Sequence, residues 1–399
     1  MPLPKVILLL GIRPDLIRAS RVIHLIKDRP EIDFKLAWSG QHYDDALKDV
    51  FIRDLDLPRP DIELGASTGT TDAETVGLVI ARTSEMLKEH KPDVLVFLGD
   101  TNTVMGCIAA AQLNVPVVHI EGCMRSYDWR MPEEKYRTII DHTSDCIYTY
   151  FDEYKEQGVR EGLNPRNIVV ITNLIVDVLN AYYYDRIDEY AAYADEAFFA
   201  DRGIERDGYY LMTCHRRENV EDPVPLRRIL DLCSHSDLPI YFAASYRTQK
   251  NLARFGLKLP EQVIMVDPVG YKELLALLVN SRGSITDSGT VVEETAVLQV
   301  PSLQMRKASE RPQVYDCGSS VKYDPDKPDD YPADVVWGKF RALYGQTWDH
   351  DIGDGKASQR LVDDLVERVT TNTIRGHLAQ DSHIPVERSY REDGLPDPA

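Results

Sequence analysis

Short apolar runs alternate with longer segments of helical period over most of this chain. The apolar run at residues 5–11 is followed at residues 14–29 by apolar positions at helical spacing, and the same order recurs as far as residue 172. Short, continuously apolar runs are typical of strands that are buried on both faces of a sheet. Strands of this kind that alternate with helices predict βαβ units and a parallel sheet.

The alternation stops at residues 177–208, a polar and aromatic helical stretch, and then resumes. The pattern predicts an α/β protein with two doubly wound, Rossmann-like domains, at residues 1–175 and 176–355, which face each other across a cleft. Residues 356–375 would form a helix across the domain junction, and residues 376–399 a polar tail. Ligands of such folds bind at the carboxyl ends of the strands.

The net charge of −19 over 399 residues limits the partners. Phosphate backbones need a basic surface, so the charge argues against nucleic acid and against anionic membrane surfaces. It is compatible with one small anionic ligand, because a local cluster of Arg and His can override the overall field.

The first apolar run imitates a short signal peptide, but Arg13 and Asp15 follow at once and no small-residue cleavage site is present. We interpret the run as a buried strand. No stretch reaches the roughly 18 apolar residues of a membrane span. The six cysteines show no C-x-x-C spacing, and Cys107, Cys146 and Cys233 stand in apolar runs. We therefore expect a cytoplasmic protein with reduced thiols and no metal site.

The first predicted strand ends in GIRPDLIR, which places Arg13 and Arg18 near a helix start. With the helix N-terminus they could bind an anion, and the alternative is a solvated first turn. The lone Gly11 is not the G-x-G-x-x-G of a dinucleotide site, so we expect no nicotinamide cofactor.

Carboxylates mark two further helix starts. Asp100 stands between a strand and a helix, where it is either a helix N-cap or an acid/base group. Glu133 and Glu134 begin a helix after Pro132. Acidic side chains are favourable in a first helical turn, so one of the two is expected to be structural.

Glu121 closes the apolar run VPVVHIE. A carboxylate at the end of a buried parallel strand needs a compensating partner. We expect that it either pairs with Arg125 or Arg130 or takes part in chemistry.

The second predicted domain carries cations and a possible phosphate cradle. Its first strand ends in CHRREN, which contains His215. A later strand runs into Ser288, Gly289 and a helix, whose backbone N–H groups and Ser288 hydroxyl would hold a phosphate. Glu294, in the same helix, is placed to meet a ribose diol. These groups suit a nucleotide diphosphate whose attached group faces the carboxylates of the first domain.

Eight motifs resemble the non-hydrolysing UDP-N-acetylglucosamine 2-epimerases, whose fold is like that of GT-B glycosyltransferases. They occur in the family's order between about residues 5 and 315, as GIRPDLIRASRVI, SGQHYD, LGDTNT, VVHIEG, MPEEKYR, CHRREN, TDSGTVVEE and ERPQV. Some of them look closest to a branch whose substrates include 6-deoxy and diacetamido UDP-sugars.

The resemblance implies an isomerase that inverts C2 of UDP-N-acetylglucosamine or a close relative. UDP is eliminated across C1–C2 and added back after protonation on the opposite face of C2. This needs acid/base groups on both faces of the ring and cations on the leaving diphosphate. It implies a homodimer without a cofactor, working in cell-envelope polysaccharide synthesis. Carried over by motif, the catalytic residues would be Asp100, Glu121, Glu133 and His215, and the UDP-sugar ligands would be Arg13, Arg18, His215, Ser288, Gly289 and Glu294.

The chain departs from the family pattern at several positions. The family's HVEAGLR is HIEGCMR here, its SGG is SGT with Thr290, and its GN is Thr172-Asn173. Arg18 stands where the family usually has Lys. A His-Pro of the family is replaced within AASYRTQ. In some members that His belongs to a second, activating UDP-sugar site, so we expect little activation here.

Two other classes of function are open. A hydrolysing 2-epimerase or a GT-B glycosyltransferase could use the same cleft to release UDP to water or to an acceptor. A sugar-nucleotide binding protein without turnover is disfavoured, because all four catalytic candidates are present.

Overall fold

A computed structural model describes residues 2–40, 45–66 and 71–374. The predicted tail at 376–399 and part of the SGQHYD motif lie outside these residues.

The first sheet has seven strands, which are parallel throughout and follow the order β3-β2-β1-β4-β5-β6-β7. The strands are β1 (Lys5–Leu10), β2 (Asp33–Trp38), β3 (Ile62–Glu63), β4 (Val94–Leu98), β5 (Val117–Ile120), β6 (Cys146–Thr149) and β7 (Ile168–Val170). The helices between them are α1 (Arg13–Lys27), α2 (Asp45–Asp54), α3 (Asp72–His90), α4 (Cys107–Gln112), α5 (Pro132–Thr143) and α6 (Asp152–Arg160).

The second sheet has six parallel strands in the order β10-β9-β8-β11-β12-β13. Its strands are β8 (Tyr210–Thr213), β9 (Ile240–Ala243), β10 (Val263–Val266), β11 (Ser284–Thr286), β12 (Ser302–Met305) and β13 (Ser320–Tyr323). Three helices precede it: α7 (Leu174–Tyr182), α8 (Ile187–Tyr193) and α9 (Glu196–Ala200). The others are α10 (Arg217–Val220), α11 (Pro223–Cys233), α12 (Tyr246–Phe255), α13 (Tyr271–Val279), α14 (Gly289–Val297), α15 (Gln313–Asp316), α16 (Ala333–Ala342) and α17 (Ala357–Thr370).

The predicted fold class, an α/β protein with two doubly wound parallel sheets, is confirmed. We call the parts of the chain around the first and second sheets domain 1 and domain 2. Two strands were not predicted. β3 has only two residues, and β13 is a partly buried edge strand, SVKY, without a continuous apolar run.

The core explains the layers. Alternate side chains of β1 point to opposite faces of the sheet: Val6, Leu8 and Leu10 join a core with α1, α7 and α17, while Ile7 and Leu9 join one with α3 and α4. The first of these cores continues through the junction to apolar residues of α13 and α14. The domains therefore share a buried apolar contact. In the described part of the chain, no helix combines the length and apolar character that a membrane crossing requires.

Candidate active site

The site candidates gather where the strand order of each sheet reverses. The first sheet reverses between β1 and β4, which lead into Arg13 and Asp100. The second reverses between β8 and β11, which lead into His215 and Ser288. Ligands of doubly wound folds bind outside the carboxyl ends of strands at such a switch point. Arg13 is close enough to His215 to affect the pKa of its ring, so the two switch points face each other.

Asp100 is held by an ion pair rather than used as a helix cap. Thr101 is the residue that precedes the 3₁₀ turn at Asn102–Gly106, so the N-cap alternative for Asp100 is not what the structure shows. Its carboxylate pairs with Arg137 of α5. Burial acts to raise the pKa of Asp100, but the guanidinium groups of Arg137, Arg18 and Arg216 together outweigh it, and the pKa is lowered.

Glu133 and Glu134 have different environments. Glu134 is buried, accepts hydrogen bonds from the backbone N–H groups of Ser126 and Tyr127, and lies 3.0 Å from Arg137. It therefore has the contacts of a structural residue. Burial, and next the Asp100 carboxylate, raise the pKa of Glu133. Neighbouring carboxyl groups whose pKa values are pushed apart can act as an acid and a base.

The Glu121 carboxylate is clamped between the two domains. One oxygen accepts from Arg18 of α1, and the other accepts from Arg311 of domain 2. The first of the two expected alternatives, a pairing with Arg125 or Arg130, is wrong. Both arginines form ion pairs with other carboxylates. Arg125 pairs with Asp141 and Glu161, and Arg130 pairs with Asp128 and Asp326. Glu121 itself has a φ of 73°, a conformation that non-glycine residues rarely adopt and that often marks functional sites.

The two candidate cations of α1 are engaged differently. Arg18 is buried and also pairs with Asp15 at 3.0 Å, so carboxylates surround it. Asp15 accepts the backbone N–H groups of Gly11 and Ile12, at 3.1 Å each. Burial raises the pKa of Asp15 to about 6. Arg13, by contrast, lies over the ring of Phe51, 5.7 Å from its centroid, on the side of α1 that faces domain 2.

His215 lies at the cleft wall, with 46% of its side chain exposed. The surrounding protein disfavours the charged ring and lowers its pKa, and Arg216, Arg247 and Arg13 act in the same direction, while Asp287 opposes them. Solvent moderates this shift because almost half of the ring is exposed. A neutral imidazole beside three cations becomes a favourable site for an added proton when an anion enters.

Ser288 and Gly289 form the start of α14. The Ser288 hydroxyl accepts the N–H of Val291 at 3.4 Å, so it serves as the helix N-cap. A Cβ on Gly289 would lie 2.7 Å from Nη1 of Arg311, so only glycine allows the guanidinium so close to this helix start. The positive end of this nine-residue helix favours an anion here.

Glu294 lies deeper in α14 and is fully buried. Neither carboxylate oxygen has a hydrogen-bond partner among the described residues. Burial raises its pKa to about 8, and the nearby Tyr271 hydroxyl, which makes no well-formed hydrogen bond to it, opposes that rise. A buried acceptor without donors is costly, and a pair of ligand hydroxyl groups would satisfy it.

The structure thus places Asp100 and Glu133 of domain 1 at the switch point that faces His215 and the start of α14 in domain 2. The family model described as UDP-N-acetylglucosamine 2-epimerase matches residues 24–366. The chain belongs to this family. A UDP-N-acetylglucosamine 2-epimerase of Methanocaldococcus jannaschii is 33% identical over 370 residues, which cover 90% of this chain and 98% of that protein. A UDP-2,3-diacetamido-2,3-dideoxy-D-glucuronate 2-epimerase of Pseudomonas aeruginosa is 31% identical over 374 residues, covering 91% and 99%.

Solved structures of UDP-N-acetylglucosamine 2-epimerases have the same fold. The M. jannaschii enzyme in complex with UDP-GlcNAc and UDP superimposes with a TM-score of 0.82 at 33% identity, covering 91% of this chain and 99% of that one. A second structure of the M. jannaschii enzyme gives a TM-score of 0.67. The two differ in how well their overall arrangement matches that of this chain.

A group of buried charges without a predicted role lies among the site residues. Three follow β12, two of them in the ERPQV motif: Arg306 lies 2.7 Å from Glu310, and Arg311 lies 2.9 Å from Glu293 of α14. Burial acts to raise the pKa of Glu310, but Arg306 and Arg311 outweigh it and hold it well below its ordinary value. A signal was available for Arg306, which directly follows the buried strand β12, as Glu121 follows β5.

Two departures from the epimerase motifs place side chains in the left-handed region. Cys123 has a φ of 65° and Thr172 a φ of 69°, and the family pattern has glycine at both. Non-glycine residues pay about 1–2 kcal/mol for this conformation. The Gly122 that precedes Cys123 has no room for a side chain, because its Cβ would lie 2.3 Å from Cγ2 of Ile147.

Two surface depressions lie away from this site. One is lined by residues such as Lys5, Asp33 and His90, and the other by Asp237, Pro239 and Gln262. Both are at the amino ends of strands, opposite the switch points. Within residues 2–40, 45–66 and 71–374, no group of three or more His, Cys, Asp or Glu is arranged to hold a metal ion.

Proposed function

We propose that this protein epimerises C2 of a UDP-N-acetylhexosamine, UDP-GlcNAc to UDP-ManNAc or a close relative, by eliminating UDP and adding it back. The observation that carries the proposal is the carboxyl pair Asp100 and Glu133, with pKa values pushed in opposite directions, across the cleft from His215 and the start of α14. An elimination of this type needs a base, an acid and a stabilised leaving group in one closed site.

The reaction begins with elimination. A base on domain 1 takes the C2 proton, the C2 electron pair forms a C1=C2 double bond, and the C1–O bond breaks as UDP leaves with its electron pair. UDP oxygen then bonds to C1 again, and an acid on the opposite face of the sugar gives C2 a proton. Asp100, Glu121 and Glu133 are the acid/base candidates, and we assign the two faces to members of this set.

The nucleotide would lie along α14. The helix start at Ser288 and Gly289 would hold phosphate, and His215 and Arg13 would stabilise the departing UDP as charge develops on it. Glu294 would accept both ribose hydroxyl groups, which supplies the donors that its oxygens lack. Arg18 would act next to Glu121, with which it is paired.

A closed cleft supports this assignment. The chain matches the relative that holds UDP-GlcNAc and UDP better than a second structure of the same protein. Glu294 is covered by Tyr271, whose ring packs against Phe51 of domain 1, with centroids 6.4 Å apart. We propose that the domains, divided near residue 175, open to admit the nucleotide and close before chemistry, which excludes water from the glycal.

Proton NMR in heavy water tests the function. With UDP-GlcNAc as substrate, anomeric signals of UDP-ManNAc should appear, and the product should carry deuterium at C2. Free ManNAc with UDP would instead indicate a hydrolysing epimerase, and unchanged substrate would indicate a different substrate or a binding protein. Product that keeps all of its C2 hydrogen under turnover would contradict the acid/base mechanism. UDP-diacetamido sugars tested in parallel define the substrate.

We also propose that the enzyme is a homodimer and acts in the cytoplasm. Family membership supports both, and light scattering of the purified protein and fractionation of its cells test them.

A further inference from the structure

We propose that Arg311 is a positioning residue that couples the nucleotide cradle of domain 2 to the Glu121 carboxylate of domain 1. The inference rests on the proposed function, since it gives Arg311 a task in that reaction. It goes further, because it makes the geometry of one acid/base candidate depend on the other domain.

Arg311 contacts several carboxylates at once. The side chain is 5% exposed. Its guanidinium donates to Glu121 through Nη2 and to Glu310 through Nη1, and its Nε lies 2.9 Å from Oε1 of Glu293. Arg311 therefore joins carboxylates of both domains. A planar guanidinium with donors on several edges is suited to holding more than one carboxylate in fixed directions.

Arg311 also contacts the start of α14. Nη1 of Arg311 lies 2.7 Å from the position that a Cβ of Gly289 would take, and Glu293 belongs to the first turns of the same helix. Glu293 also accepts from the side chain of Asn173, at 2.7 Å, in the segment that leaves domain 1. Any shift of the α14 start on nucleotide binding would thus be transmitted to the Arg311 guanidinium.

Glu121 is held from both domains. Its other oxygen is held by Arg18, which lies in domain 1 and keeps this contact whatever the domain arrangement. The Tyr150 hydroxyl, 3.4 Å away, is also in domain 1. Among the hydrogen bonds of the Glu121 side chain to described residues, the one from Arg311 alone joins the two domains. Closure over a bound nucleotide would therefore complete the clamp that fixes the Glu121 carboxylate, and opening would release it.

A purely structural role is the alternative to exclude. Removing one partner of a buried ion pair is strongly destabilising in general, so loss of activity alone would not support the proposal. The matched control is Arg130→Gln, which removes a different ion pair between the domains, Arg130 with Asp326 at 2.9 Å, on an exposed rim.

Hydrogen exchange provides a test that does not depend on catalysis. In Arg311→Gln, exchange at residues 120–124 should equal that of wild type without UDP, and UDP should protect the start of α14 but no longer residues 120–124. Wild type and Arg130→Gln should show both protections. Uniformly faster exchange over both domains, or protection of residues 120–124 by UDP equal to that in wild type, would overturn the proposal. If Arg311→Gln does not fold, Arg311→Lys, which keeps the charge but not the fork, should show the same local effect in weaker form.

A double-mutant cycle tests the coupling in the reaction. Arg311→Gln should lower kcat by roughly 10- to 100-fold, as expected for a misplaced reacting group, and change KM by less than about threefold. On a Glu121→Gln background the same substitution should have no further effect, because it acts through Glu121. Effects that multiply would overturn the proposal. If wild type does not epimerise, the proposed function fails, and the hydrogen-exchange result still decides the role of Arg311.

Discussion

The Nδ1 atom of His215 lies 3.4 Å from Oδ1 of Asp287, a buried carboxylate that also accepts the backbone N–H groups of His215 and Arg216. Asn219 donates to the same carboxylate. The end of β8 is thereby tied to the end of β11, and the ring is oriented with Nε2 away from Asp287. An imidazole held in this way can place a proton or a partial charge on an anion in the cleft.

His215→Ala should lower kcat far more than it weakens binding, because the charge that His215 stabilises develops only as UDP departs. Loss of one such stabiliser costs about 10²–10³-fold in rate. Steady-state kinetics and calorimetric titration with UDP measure the two effects. The control is His235→Ala, which alters an exposed histidine of domain 2. A kcat equal to that of wild type would make His215 a structural residue.

Glu294→Gln should flatten the dependence of stability on pH. The pKa of Glu294 is about 8 in the folded chain against an ordinary 4.5. Between these values the folded state keeps a proton that the unfolded state has lost, so stability falls as pH rises. One group contributes about 1.4 kcal/mol per pH unit in this window. Urea unfolding should show that wild type loses about 2 kcal/mol more free energy of unfolding than the variant between pH 6 and pH 8. If the free energies of unfolding of the two proteins changed equally with pH, the raised pKa of Glu294 would be contradicted.

UDP binding should release a proton from Glu294. The free protein holds this carboxyl protonated near pH 7, and ribose hydroxyl groups that donate to it favour the ionised form. Calorimetry in two buffers of different ionisation enthalpy gives the number of protons released. The difference between wild type and Glu294→Gln should approach one proton at pH 7, and the variant should bind UDP more weakly. His215 is present in both proteins, so any proton that it takes up cancels in this difference. No difference would mean that the ribose lies elsewhere.

Gly122→Ala should destabilise the protein by about 1–3 kcal/mol, the usual cost of overpacking a core. The added methyl would meet Ile147 and the Asp141 carboxylate, at 2.7 Å from the latter. Gly338→Ala is the control, because the same methyl in the middle of α16 meets nothing within 4 Å and should stabilise slightly. Denaturant unfolding compares them. Equal stability of the two variants would show that the backbone after β5 has room to move.

Activation by substrate should be weak. The family's second-site His is replaced in a stretch where the Ser245 hydroxyl caps α12, accepting the N–H of Thr248 at 3.2 Å, and Tyr246 is half exposed. Progress curves from UDP-ManNAc should therefore be linear from the start and unchanged by a trace of UDP-GlcNAc. A lag that the trace abolishes would show that other residues rebuild the site.

The sequence predicted local order well and distant pairing poorly. Continuous apolar runs such as VILLL and VLVFL identified buried parallel strands, because few other environments suit such runs. Asp100 and Glu121 were recognised as strand-end carboxylates for the same reason. The partner of Glu121 in domain 2 was missed because Arg311 lies 190 positions away in the chain, and only the packing of two domains brings it there. No local pattern encodes that distance.

The chain crosses between the domains twice, and the crossings are neighbours. The N–H of Asn173 donates to the carbonyl of Ile352 at 3.3 Å, and Arg360 reaches back to the carbonyl of Ile171 at the same distance. After the second crossing, α17 packs against α1. Domain 2 is therefore an insertion in domain 1, attached by a pair of adjacent straps. Such an attachment resists twisting and sliding but permits swinging about one axis, so an open form should differ from this one by a single rotation.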